Sequence, residues 1–122
     1  MPGFIPAADR TTPMLLPAQV NDYIPADAPV RVIDAFVATL DLQKLGFERA
    51  RPALTGRPGY NPAALLALYI YGYLNNIRSS RRLERACLIN LEVIWLVRRL
   101  TPDFKTIADF RRDNHAGITG VC

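Results

Sequence analysis

Apolar residues recur three and four positions apart along much of the chain from residue 29 onward, and that spacing predicts helices rather than strands. The first runs from about Pro29 to Asp41, with Val30, Ile33, Val37 and Leu40 on one face. Pro29 suits its first turn, and Asp27 is placed to cap it. A short helical turn over Leu42–Leu45, closed by Gly46, follows. Residues 51–61 form a loop rich in Pro and Gly. Asn61-Pro62 then reads as a helix start, Asn as cap and Pro in the first turn.

That helix, about 62–76, has the most apolar run of the chain. Leu65, Leu66, Tyr69, Ile70 and Tyr73 mark one face, and Leu68 and Tyr71 a second. Apolar on most sides, it is expected at the centre of the fold. Ser79 or Ser80 caps the next helix, about 80–89, which turns Leu83, Ala86 and Cys87 inward. A helix over about 91–100 buries Leu91, Ile94, Trp95 and Val97. Arg98 and Arg99 stand in its last turn, where cations suit the helix dipole. Thr101-Pro102-Asp103 breaks the pattern. A last helix begins within 102–106 and runs to about Asn114, with Phe104, Ile107 and Phe110 inward. Gly117 and Gly120 follow with no further element expected. Residues 1–28 carry Pro at 2, 6, 13, 17 and 25 and read as an extended arm, which Leu15, Leu16, Val20, Tyr23 and Ile24 can pin to the core. The fold class is therefore all-α: about five helices over residues 29–118, a Pro-rich N-terminal arm over 1–28, and a short tail at 119–122.

Charge sharpens this picture. Residues 1–56 hold 5 basic and 6 acidic residues, net −1, and residues 57–122 hold 10 and 5, net +5. Of the 15 basic residues, 13 are Arg, the side chain suited to bidentate phosphate and base-edge contacts. A basic half points to a polyanion, with a solvated helical surface as the plain alternative. Two Cys make no disulfide framework, and reduced thiols in a cytoplasmic protein are expected. Met1-Pro2-Gly3-Phe4 does not open a signal peptide. The continuous apolar run Ala63–Leu74 is too short to span a bilayer, so no membrane role is expected.

Two constellations carry candidate chemistry. Arg78, Arg81, Arg82 and Arg85 are spaced i, i+3, i+4 and i+7, which on a helix places them on one face opposite Leu83, Ala86 and Cys87. Glu84 lies off that stripe. A phosphate backbone would relieve the repulsion; Arg stems covering apolar surface would give the same spacing. The second is the helix–break–helix pattern over 91–114, compatible with a helix-turn-helix whose second member presents Lys105, Thr106, Arg111 and Arg112. A packed helical hairpin is the more common outcome of such a pair. Arg57, in the Pro/Gly loop, is a further DNA-contact candidate.

Enzyme chemistry finds little support. His115 has no neighbouring Cys or carboxylate cluster, Asp109 and Asp113 are interleaved with Arg111 and Arg112, and Gly56-Arg57-Pro58-Gly59 lacks an N–H that a phosphate loop needs. Tyr69, Tyr71 and Tyr73 could stack on bases, but an apolar helix makes them core residues. No catalytic residue, metal ligand, cofactor or small-molecule ligand is assigned.

Several strings taken together resemble a known family. They are Gly56-Arg57-Pro58-Gly59-Tyr60-Asn61-Pro62, then Leu65-Leu66 and Ile70-Tyr71-Gly72-Tyr73, then Ile77-Arg78-Ser79-Ser80-Arg81-Arg82-Leu83-Glu84-Arg85-Ala86-Cys87, Trp95-Leu96, and Leu100-Thr101-Pro102-Asp103-Phe104-Lys105-Thr106-Ile107-Ala108-Asp109-Phe110-Arg111-Arg112. In this order and spacing they resemble the N-terminal domain of InsH-type insertion-sequence transposases, over roughly residues 14–118. The resemblance implies a bacterial, cytoplasmic DNA-binding domain that holds double-stranded terminal inverted repeats during DNA transposition and recombination. It also implies an RNase H-like domain further downstream, where an Asp–Asp–Glu set holds two divalent metals. None of the eleven carboxylates here is assigned to that set. The chain is thus expected to be a truncated, non-catalytic piece. The alternatives are a helical module that packs on a second copy or on full-length transposase, and a non-functional remnant of a degraded element.

Overall fold

Residues 4, 5, 7, 20–42, 44, 45 and 60–121 are described in a computed structural model. Among them the chain forms a short 3-10 helix, Val20–Tyr23, and six α-helices, with no strand. The helices are α1 Pro29–Ala38, α2 Pro62–Leu74, α3 Ser80–Ile89, α4 Leu91–Leu96, α5 Phe104–Asp113 and α6 His115–Val121. The fold is all-α. Leu15, Leu16, Gly46 and the Pro/Gly loop with Arg57 lie outside the described residues.

The central position expected for α2 follows from its composition. It packs against α1, α4 and α5 and buries Leu65, Leu66, Ala67, Leu68, Tyr71 and Gly72. Pro62 sits in its first turn, and the Asn61 side chain accepts the N–H of Ala63 at 2.9 Å, as the Asn-Pro pair predicts. The helix stops two residues early. Asn76 takes a left-handed φ of 58°, so that the N–H of Ile77 reaches back to the Gly72 carbonyl at 2.7 Å and that of Asn76 to Tyr73 at 3.4 Å. This is the Schellman closure, with Asn where its left-handed residue belongs.

Other ends also differ from the expected ones. Ala28, not Asp27, precedes α1 and offers no side-chain cap. Asn90 both closes α3 and opens α4: its Oδ1 accepts from Glu92 and Val93, and its Nδ2 donates to the Tyr71 hydroxyl at 3.2 Å. Arg98 and Arg99 are not in a helical last turn. α4 ends at Leu96, and both arginines take left-handed φ, 56° and 63°. The N–H of Arg99 bonds Ile94 O at 2.9 Å and that of Arg98 bonds Trp95 O at 3.2 Å, a second Schellman closure. Here Arg98 occupies the position that glycine usually fills. Leu91 is exposed, whereas Val93 is fully buried.

After this turn Pro102 and the Asp103 cap start α5 in a new direction, so α5 packs mainly against α3 rather than α4. The pair over 91–114 is therefore not the pair that packs together. α6 was not expected, because Gly117, Thr119 and Gly120 are poor helix formers. Burial of Ile118 and Gly117 against the fold overrides that local preference, and Asn114 at the α5–α6 junction donates to the Phe110 carbonyl at 3.0 Å.

Arg31 ties residues 21–25 to the first turns of α1. Arg31 donates from Nε to Pro25 O at 2.8 Å and from a terminal nitrogen to Ile24 O at 2.8 Å and to Asn21 O and Oδ1 at 3.2 Å. Its guanidinium lies 4.9 Å from the centre of the Trp95 ring, whose Nε1 donates to Asn21 Oδ1.

Candidate functional site

The α2–α3 corner sets the geometry of the basic surface. A Cβ on Gly72 would come within 2.7 Å of the Ile77 carbonyl and 3.0 Å of a Leu83 methyl, so only glycine lets the chain turn back this tightly. The turn delivers Arg78 to the end of α2. Ser79 then caps α3, its hydroxyl accepting the N–H of Arg82. Arg78 thus stands before the helix, not on it, and the four-residue stripe is a helical face only for Arg81, Arg82 and Arg85. All four are exposed, while Leu83, Ala86 and Cys87 are buried as expected.

α3 and α5 then lie side by side. Glu84 accepts the N–H of Phe104 at 3.3 Å, placing a negative charge at the positive end of α5. Arg81 lies 4.0 Å over the Phe104 ring. Phe104, expected inward, is instead 36% exposed and carries this arginine over its ring. Arg82 is two residues from Glu84, roughly 200° around the helix, and so projects from the flank away from α5.

Further along the α3–α5 contact, Tyr69, Tyr73, Ile77, Arg78, Ser80, Leu83 and Arg111 enclose a hollow of about 240 Å³. The Arg111 guanidinium lies 5.6 Å from the Tyr69 ring centre. Arg78 and Arg111, drawn from two separate constellations of the sequence, therefore line one hollow. Arg81 stands on Phe104 at the start of α5, and Lys105, next in the chain, is exposed. No ion pair to a described residue engages Arg78, Arg81, Arg85, Lys105 or Arg111.

Two of the expected contact residues are committed elsewhere. Arg112 pairs with Asp109 at 3.4 Å and Asp113 at 3.1 Å. The Asp113 hydrogen bond first, then the charges of Asp113 and Asp109, raise its pKa. Thr106 belongs to the α5 cap: its N–H, and then its hydroxyl, hold the Asp103 carboxyl below its ordinary value. Burial, reinforced by the charge of Glu84, pushes the Cys87 thiol up to about 12, which leaves it unreactive near neutral pH.

The core position expected for all three tyrosines of α2 holds only in part. Tyr73 is 67% exposed, not a core residue, while Tyr71 is buried and Tyr69 half-buried. A helix apolar on every side gives no sign of which face is left outside. The available signal was the i, i+4 pairing of Tyr69 and Tyr73 leading into Arg78.

Among the described residues, no group of three or more His, Cys, Asp or Glu is placed to hold a metal ion, and no helix is long and apolar enough to cross a membrane. A family model described as Transposase domain (DUF772) matches residues 18–113. No curated protein and no solved structure matches the chain.

Proposed function

Because the chain belongs to the DUF772 transposase-domain family, we propose that it binds double-stranded DNA through the α3–α5 surface and positions the element's terminal repeats for transposition. The observation that carries this reading is the hollow shared by Arg78 and Arg111, with Arg81 and Lys105 alongside. Exposed guanidinium groups on α3, α5 and the turn before α3, with no ion pair to a described carboxylate, suit a row of phosphates. Arg85 extends the surface along α3. Arg82, on the other flank, and Arg112, already paired with two aspartates, contribute less.

Phosphodiester cleavage is not part of the proposed role. Two-metal phosphoryl transfer needs convergent carboxylates. The aspartates of α5 are spent on Arg112 and on the helix cap, and they do not converge with other ligands. The divalent metals that InsH-type transposases would use therefore do not fit the described residues.

Leu88, Ile89 and Leu91, all exposed at the α3–α4 corner, favour a second reading in which the domain also packs on another copy or on full-length transposase. Fluorescence anisotropy separates the two. Replacing Arg81 and Arg111 with Ala is expected to weaken duplex binding about equally for repeat and random sequences, because phosphate contacts carry no sequence information. Unchanged affinity would remove the α3–α5 surface from the account and leave the packing role.

A further inference from the structure

The hollow between α2, α3 and α5 has a chemistry that a row of phosphates does not require. Two tyrosines, one exposed and one half-buried, stand at i, i+4 on α2. Opposite them are two exposed guanidinium groups, and the Ser80 hydroxyl lies at the lining. Buried Leu83 and half-buried Ile77 supply apolar floor. At about 240 Å³ the space is smaller than the ~300–1,000 Å³ of sites for drug-sized molecules, so it suits one ring system rather than several.

Resting on the DNA-binding reading, we propose that this hollow receives a single unpaired nucleotide of the bound DNA. The base stacks on Tyr73, and Arg78 or Arg111 holds its phosphate. Bases inside a duplex have both faces covered by their neighbours. A base in a single-stranded overhang, a frayed end or a bulge can leave the stack and offer a free π-face inside the hollow. One face of Tyr69 is already taken by Arg111, which leaves Tyr73 as the open platform and holds the Arg111 charge next to it. Stacking of this kind tolerates any base, so the site reads strandedness, not sequence.

Anisotropy with a blunt duplex and with the same duplex carrying a short single-stranded overhang tests this. The overhang is expected to bind about tenfold more tightly, the scale of one base–aromatic stack. Tyr73→Ala should abolish that gain while leaving blunt-duplex affinity in place, and Tyr73→Phe should keep it. Because Tyr73 is mostly exposed, neither change threatens the fold. Equal affinity for the two probes, or a gain that survives Tyr73→Ala, would overturn the proposal and leave duplex binding standing. Binding of the overhang probe alone, lost in Tyr73→Ala, would support the hollow and refute the duplex reading. Binding of neither probe would refute both.

Discussion

Arg31 and Arg81 each lie against an aromatic ring, yet the two ends of the molecule use the same side chain in opposite ways. At the α1–α4 end, the Arg31 guanidinium donates to three backbone carbonyls and an amide oxygen, and it covers Trp95. Its donors are turned inward to close residues 20–31 onto the core. At the α3–α5 end, Arg81 rests on Phe104, exposed and with no ion pair to a described residue. The ring below fixes where the charge stands while the surroundings leave it available. Count and spacing of arginines do not separate these roles; the number of acceptors around each guanidinium does.

This contrast can be broken from either side. The largest effect is expected for Arg31→Ala, which should lower stability by about 2–3 kcal/mol, since hydrogen bonds from a charged donor contribute at that level and several carbonyls lose their partner. Chemical denaturation would measure it, and the affinity of the folded fraction for DNA should not change. Gly72→Ala should cost about 1–3 kcal/mol, because the added methyl meets the Ile77 backbone and a Leu83 side chain. It should also disturb DNA binding by moving Arg78, which would show that the corner serves both fold and surface. The smallest effect has the opposite sign. Arg98→Gly should stabilise the chain by about 1 kcal/mol, since a side chain in a left-handed closing position is replaced by the residue that suits it. A loss of stability there would mean that the Arg98 side chain has contacts of its own to lose.

Much of the fold was legible in the sequence because its signals are local. Asn61-Pro62 and Ser79 mark helix starts, and Val30, Ile33 and Val37 mark a buried face, all from a few neighbouring residues. What escaped depends on long-range contact. Phe104 reads as a core residue until α3 brings Arg81 over it. α6 lacks local helix preference and exists through the burial of Ile118. The two arginine constellations were visible as separate strings. Their meeting around one hollow was not, because it needs α5 to leave α4 and pack on α3. Asp109 and Asp113 could be read as surface charges, but their hold on Arg112 depends on rotamers that spacing does not determine.

Phosphate contact by the α3–α5 arginines is read from the salt dependence of binding to a short duplex, measured for the unaltered chain, for Arg31→Ala and for the Arg81→Ala/Arg111→Ala pair. Affinity is expected to fall steeply with salt, with a slope unchanged in Arg31→Ala and shallower by about 2 in the paired variant, close to one released counterion per lost phosphate contact. A slope equally steep in the paired variant, or no binding by the unaltered chain at low salt, would contradict phosphate contact by these arginines.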